Sequence, residues 1–119
     1  MNTKLIGAYG EQIAARYLRG EKYSILAANY IAGSGEIDII AQKGKVVCFI
    51  EVKTRKEGGL FAPAEAVNYH KQNNIKSAAS AYMNRYKLKN ETRFDIIEVL
   101  LSEENVYNVS SINHIKNAF

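Results

Sequence analysis

Apolar residues recur at two different spacings along the chain, and these spacings predict two helices and five strands. Between residues 3 and 19 they recur every three or four positions, as on one face of a helix, and Gly20 follows as a stop signal. A second stripe of this kind runs from Tyr69 to about Tyr86, behind Asn68, which suits the cap position of a helix. Runs of β-branched and aromatic residues predict strands at 23–31, 37–41, 46–52, 92–101 and 106–112.

The order of these elements is helix, three strands, helix, two strands. It predicts an α/β domain with a mixed central β-sheet of about five strands flanked by helices. The first three strands are joined by short links, so we expect an antiparallel meander, whereas the helix between Arg55 and Thr92 permits a parallel crossover. With 119 residues the chain is long enough for one domain, residues 1–119, and too short for two.

Charged residues interrupt the second and third strands at positions where a buried strand would not carry them. Asp38 lies within Ile-Asp-Ile-Ile, and Glu51 and Lys53 close a run that begins Val-Val-Cys-Phe-Ile. Burying such groups without partners is costly, because each loses its hydration. We therefore expect these charges to lie next to one another.

A turn with an even number of residues would bring the charges together. With a turn at Lys43-Gly44 or at Gln42 to Lys45, Glu36 faces Glu51, and Asp38 and Lys53 lie on the same face as this pair. A three-residue turn would send Asp38 to the other side. Carboxylates grouped in this way repel one another unless a cation lies between them, and Mg²⁺ suits a site with one or two protein carboxylates and several waters.

Glu11, on the first helix, is surrounded by small residues. Its neighbours one turn away in each direction are Gly7, Ala8, Ala14 and Ala15. Another element can therefore approach the helix closely and meet the carboxylate. From the helix alone, an ordinary exposed glutamate beside good helix formers is the more frequent case.

Three basic residues lie close to these acids in the predicted fold. Arg55 and Lys56 lead into the glycine-rich segment 56–61, which we predict to be the most mobile part of the domain. Two interpretations of this segment stay open: a solvated connector, or a loop that orders over a nucleic-acid backbone. Lys71 lies one turn before Ile75 on the apolar stripe of the second helix, so it leans towards the sheet, where its ammonium suits a phosphate.

Four further titratable residues, two acids and two histidines, are predicted to have structural rather than catalytic roles. Asp95 and Glu98 lie in an apolar run, and ion pairing with Arg93 or exposure at an edge accounts for them. His70 and His114 have no partner at a fixed spacing, so neither is expected to be catalytic.

Composition argues against a membrane protein and a disulfide-rich secreted protein. The 16 basic and 12 acidic residues give a net charge of +4, which permits a polyanionic partner without requiring one. The single cysteine, Cys48, lies in an apolar strand and is expected to be a buried thiol. No apolar run has the length of a membrane span or of a signal peptide, so we expect no membrane contact and a cytoplasmic protein. Zinc-binding spacings and phosphate-binding glycine loops are absent from the sequence.

The ordered set of motifs resembles a known family. Asp38 followed by Glu51-Val-Lys53 resembles the Asp…Glu-x-Lys signature of restriction-endonuclease-like nucleases, which include archaeal Holliday-junction resolvases. The match is closer still to the bacterial YraN family of predicted endonucleases. In this chain the pattern is Gly10-Glu11, Asn29-Tyr30, Gly35-Glu36-Ile37-Asp38, Phe49 to Arg55, Lys71 and Arg93-Phe94-Asp95.

The resemblance implies a restriction-endonuclease-like core and a metal-dependent nuclease, with Mg²⁺ or Mn²⁺ as the cofactor. The implied catalytic residues are Glu11, Asp38, Glu51 and Lys53. The implied metal ligands are Asp38, Glu51, Glu11 and the carbonyl of Val52. The residues expected to contact nucleic acid are Arg55, Lys56 and Lys71.

The substrate implied is nucleic acid, with DNA favoured over RNA and with branched or junction DNA as one class. The resemblance also allows a homodimer. The alternative is a non-catalytic module that binds nucleic acid or another protein on the same scaffold. A third interpretation makes Glu51 and Lys53 an ordinary surface pair and requires Asp38 to point elsewhere.

Overall fold

The computed structural model describes residues 3–58 and 67–119. Its elements follow the predicted order: α1 (Thr3–Gly20), β1 (Ser24–Ala32), β2 (Gly35–Lys43), β3 (Val46–Lys56), α2 (Tyr69–Arg85), β4 (Glu91–Leu101) and β5 (Val109–Ile115). The start of α2 is capped as predicted, because the Asn68 side chain accepts a hydrogen bond from the N–H of Lys71. The segment from residue 59 to 61, which we predicted to be mobile, lies outside the described residues.

The five strands form one mixed sheet in the order β1-β2-β3-β4-β5. Neighbouring strands are antiparallel except β3 and β4, which are parallel and joined through α2. The predicted meander and crossover are confirmed. The last strand begins three residues later than predicted, because Asn105 accepts hydrogen bonds from the N–H groups of Tyr107 and Asn108 and so forms a turn there.

The turn between β2 and β3 differs from the predicted one. Lys43 pairs with Val46, so the turn residues are Gly44 and Lys45, with Gly44 at φ 59°. Both turns have two residues and both contain Gly44, but the pairing is shifted. In the observed register the position opposite Glu51 is that of Asp38 rather than Glu36.

A hydrophobic core lies on each face of the sheet. The core under α1 includes Ile13, Leu18, Ile39, Cys48 and Ile50. The core under α2 includes Ile37, Ile40, Phe49, Ile75 and Tyr82. Ile37 and Ile39 are two positions apart and yet belong to opposite cores, so the alternation of side chains along β2 breaks at Asp38. The prediction that all the charges project from one face assumed an unbroken alternation, and in this respect it was wrong.

The two central strands separate next to this break. Pairing between β2 and β3 ends at Ile39 and Ile50. Beyond these residues, within the described part of the chain, β2 pairs only with β1, and β3 pairs only with β4. Asp38 and Glu51 are the first residues past the last pair, so they lie at the mouth of a split in the middle of the sheet.

A second group of charges is buried in the core under α1 and is fully paired. Asp95 is completely buried and accepts hydrogen bonds from both Nε and Nη2 of Arg93 at 2.9 Å and from the N–H of Asn117. His114 contacts Asp95 at 2.7 Å and Tyr17 at 3.0 Å. The predicted ion pair of Asp95 with Arg93 is confirmed, whereas the contact with His114 was not predicted. The predicted burial of Cys48 is also confirmed.

Glu98 on β4 is half-buried and accepts a hydrogen bond from the side chain of Asn113. Among the described residues, neither helix combines the length and the apolar character that a membrane span requires.

Candidate active site

The helix α1 approaches the split through a glycine. A Cβ atom on Gly10 would lie 1.8 Å from the hydroxyl oxygen of Thr54 on β3, so glycine lets the helix pack directly on the Thr54 side chain. Glu11 follows directly in the sequence. The contact of Gly10 with Thr54 therefore holds the Glu11 backbone against the part of β3 that lies past the split.

The helix α2 approaches from the other face through a second glycine. A Cβ atom on Gly35, the first residue of β2, would lie 2.2 Å from the backbone carbonyl oxygen of Asn74. Lys71 precedes Asn74 by about one helical turn. Close packing of Gly35 on Asn74 thus brings the first turn of α2, and Lys71 with it, to the start of β2.

Asp38 lies between the two separated strands. Its Oδ2 atom accepts a hydrogen bond of 2.8 Å from the N–H of Val52 on β3. Burial raises the pKa of Asp38 to about 7, and the negative charges of Glu51 and Glu11 act in the same direction against the Val52 N–H and the Lys71 ammonium. The positive groups around Asp38 thus do not offset the cost of ionising its buried carboxyl group.

Glu51 is 6% exposed and is compensated by two lysines. The Nζ atom of Lys71 donates a hydrogen bond of 2.5 Å to Oε1 of Glu51. The Nζ atom of Lys53 lies 3.9 Å from the same oxygen. Glu51 is therefore the acid of the site with the most direct ionic partners, and its main partner comes from α2.

The two lysines have different protonation tendencies. Burial lowers the pKa of Lys53, as does the charge of Lys71, and the nearby carboxylates do not fully offset this. Burial also acts to lower the pKa of Lys71, but the hydrogen bond and the charge of Glu51 outweigh it, so the pKa of Lys71 is raised. Lys71 is thus held as a cation, whereas Lys53 is the lysine that more readily gives up a proton.

Glu11 reaches the same group of acids from the α1 side. Burial raises its pKa, a hydrogen bond from the Asn29 side chain lowers it, and the charges of Glu36 and Glu51 raise it again. Asn29 has φ 51°, a left-handed conformation that asparagine tolerates better than most residues. No role was predicted for Asn29. The sequence signals for it were its place in the family pattern and the presence of an asparagine inside a strand, where this residue type is uncommon.

The predicted site residues are distributed in two groups. One group meets at the split and consists of Glu11, Asp38, Glu51, Lys53 and Lys71. Val52 also lies there and contributes its N–H to Asp38. The other two residues lie further along β3: Arg55 borders a cavity of about 240 Å³ together with Glu98, Ser111 and Asn113, and Lys56 is exposed at the end of the strand.

The carboxylates at the split determine whether a metal ion fits the site. Within residues 3–58 and 67–119, no three His, Cys, Asp or Glu side chains are arranged so that they could hold an ion together. Asp38 and Glu51 nevertheless flank one split, and the raised pKa of Asp38 marks a place where added positive charge is favourable. Mg²⁺ commonly takes one or two carboxylates and several waters, so two carboxylates fit this ion.

Comparisons with known proteins identify the family. The sequence model described as "Uncharacterised protein family UPF0102" matches residues 10–99. Similar proteins include the UPF0102 protein of Alkaliphilus oremlandii, 45% identical over the full length of both chains. Another is the UPF0102 protein of Clostridium kluyveri, 49% identical over 98% of this chain and 95% of the relative. The chain therefore belongs to the UPF0102 family, which is the YraN family that its motifs resemble.

Proposed function

We propose that this protein is a metal-dependent nuclease that hydrolyses phosphodiester bonds in nucleic acid. The observation that supports this most is the meeting of Asp38, Glu51 and Lys53 at a split between two central strands. The third interpretation, an ordinary surface pair, does not account for Glu51, which is 6% exposed. Acidic groups that are buried or half-buried together at the mouth of a cleft are typical of functional sites.

The acids would hold Mg²⁺ or Mn²⁺. Asp38 and Glu51 are the proposed direct ligands, the Val52 carbonyl is a further one, and Glu11 would complete the acidic shell through water. When bound, a divalent ion supplies a water of lowered pKa and positive charge beside the phosphate.

Lys53 would act on the attacking water. Its pKa is lowered by burial, so a larger fraction of its amine is neutral than in an exposed lysine. A neutral amine at Nζ can accept the proton of the water, and the resulting ammonium then lies beside the negatively charged phosphate. Lys53 is therefore the proposed general base and phosphate contact.

The proposed substrate is DNA rather than RNA, and branched or junction DNA is the first class to test. Arg55, Lys56 and Lys71 are the proposed contacts to its phosphates, in keeping with the net charge of +4. We propose the cytoplasm as the compartment and a homodimer as the assembly to look for.

A second candidate function is a non-catalytic module that binds nucleic acid or another protein. The observation that favours it is that the described residues contain no three-residue metal-binding group, while Lys71 already compensates Glu51. In such a protein the lysines of the site would contact phosphate without any cut.

A substrate panel with one variant tests the proposal. Wild-type protein is incubated with linear, single-stranded, branched and junction DNA and with the matching RNAs, in Mg²⁺, in Mn²⁺ and in EDTA. We expect cleavage of at least one DNA with a metal ion, none in EDTA, and none by Asp38→Ala. Retained nucleic-acid affinity without cleavage of any substrate would instead favour the binding module.

A further inference from the structure

Lys71 already holds one of the two carboxylates that are the proposed direct ligands of the metal ion. Glu51 is 6% exposed, and its Oε1 atom accepts the Lys71 ammonium at 2.5 Å. A Mg²⁺ ion on Oε1, at its ligand distance of about 2.0–2.1 Å, would lie directly beside this ammonium. Two cations that close repel one another. Lys71 and a bound metal ion are therefore competing partners of Glu51.

The surroundings of Lys71 let its side chain leave while its backbone stays. Its N–H is fixed by the Asn68 cap at 2.8 Å, within a first turn held near Gly35. Its side chain is 42% exposed, compared with 27% for Lys53. A rotation about the side-chain bonds thus takes the ammonium from Glu51 to solvent without moving the helix.

We propose that Lys71 is a built-in cation of the metal site, bound to Glu51 when no divalent ion is present and released to a substrate phosphate when the ion binds. This inference rests on the proposed function. The lysine would keep the acidic site neutral enough to fold without metal. It would also couple metal binding to nucleic-acid binding, because the released ammonium becomes available only once Glu51 has another partner.

Metal titration of Lys71→Met tests the competition directly. Mn²⁺ is titrated by calorimetry into wild-type protein, Lys71→Met and the control Lys76→Met, without nucleic acid. Lys76 lies on the same helix and has the same charge, but it is exposed and contacts the rings of Phe94 and Phe119. We expect Mn²⁺ to bind Lys71→Met at least about fivefold more tightly than wild type, and Lys76→Met to change by less than about twofold.

A measurement on the wild-type protein keeps the test independent of the variant's folding. The ammonium protons of Lys71 are protected by the bond to Glu51 and should give an NMR signal without metal. That signal should vanish on saturation with Mg²⁺, while the signals of exposed lysines hold.

The outcomes separate the inference from the proposed function. Tighter Mn²⁺ binding by Lys71→Met alone, with loss of the Lys71 signal in wild type, supports the inference. Equal affinities in all three proteins, or equal tightening in Lys76→Met, would overturn it and leave the nuclease proposal standing. No Mn²⁺ binding by any of the three would overturn both.

Discussion

The Asp38 carboxylate accepts a hydrogen bond of 2.8 Å from the N–H of Val52 and so joins two strands whose regular pairing has already ended. The bond explains how an aspartate is tolerated in an apolar run, since it satisfies one oxygen. It leaves the negative charge largely uncompensated, and burial raises the pKa of Asp38 to about 7. The residue thus stabilises the fold mainly in its protonated form.

This pKa predicts a pH-dependent effect of Asp38→Asn on stability. Because the folded pKa lies above the unfolded value, the contribution of Asp38 is complete below about pH 4 and is lost as the pH rises through about 7. Asparagine keeps an acceptor for Val52 without the charge. We expect the variant to match wild type at pH 4 and to exceed it by roughly 1–3 kcal/mol in free energy of unfolding at pH 8.

Urea denaturation at several pH values measures this difference. Saturating Mg²⁺ should reduce the difference at pH 8, because the ion compensates the ionised wild-type aspartate. A variant less stable than wild type at pH 8 would show that Asp38 is an ion-paired structural residue instead.

Asp95 is predicted to behave in the opposite way. Burial acts to raise its pKa, but His114, Arg93 and the Asn117 N–H outweigh it and lower the pKa to about 2. Its stabilising contribution is therefore present above the unfolded pKa and is lost as the pH falls through about 2. We expect Asp95→Ala to lower the free energy of unfolding at pH 7 by roughly 3–5 kcal/mol, because Arg93 loses its buried partner. Thermal denaturation with Tyr17→Phe as a milder control measures this, and a loss below about 1 kcal/mol would contradict the account.

The close approach of α1 to β3 predicts a contrast between two glycines of one helix. In Gly10→Ala the new Cβ would lie 1.8 Å from the Thr54 hydroxyl, so the helix or Thr54 must shift, at roughly 1–3 kcal/mol. In Gly7→Ala the Cβ meets nothing within 4 Å, and the better helix former should stabilise by roughly 0.5–1 kcal/mol. Chemical denaturation of both variants measures this, and equal effects would mean that the contact at Gly10 is not tight.

Lys53 should be required for cleavage but not for metal binding. We expect Lys53→Met to lower the cleavage rate by at least about 100-fold, because the general base is removed, while Mn²⁺ affinity holds or rises. Lys53→Arg should not restore the rate, because a guanidinium does not give up its proton. Lys45→Met, in the exposed turn just before the same strand, is the matched control for the cleavage rate. A wild-type cleavage rate in Lys53→Arg would contradict the general-base role and leave Lys53 as a positive charge that contacts the phosphate.

Much of the site could be predicted from the sequence because its charges interrupt apolar runs. Asp38, Glu51 and Lys53 were recognisable for this reason, and Lys71 was placed towards the sheet by its helical stripe. The register could not be fixed, since two-residue turns at 43–44 and at 44–45 both contain Gly44. The break in side-chain alternation at Asp38 could not be predicted either, because the sequence does not show where the pairing of β2 with β3 ends.

The contacts that join distant elements were the ones missed. The pairing of Lys71 with Glu51 and the hydrogen bond of Asn29 to Glu11 connect separate elements, so no pattern within one element identifies the partner. His114 follows the predicted last strand, 106–112, but in the structure it lies on β5 and contacts Asp95 on the neighbouring strand β4. In each case the partner is set by the sheet order rather than by spacing along the chain.

The cleavage rate of Glu51→Gln, compared with that of Glu91→Gln, tests the central claim most directly. Both changes remove one carboxylate charge from a strand and keep the shape of the side chain, but Glu51 lies at the split with Lys53 and Lys71, whereas Glu91 is exposed at the opposite end of β4. On the DNA that wild-type protein cuts in Mg²⁺, we expect Glu91→Gln to cut at nearly the wild-type rate and Glu51→Gln to lose at least about 100-fold. A folded Glu51→Gln that cuts as fast as wild type would contradict a metal-dependent nuclease site at the split.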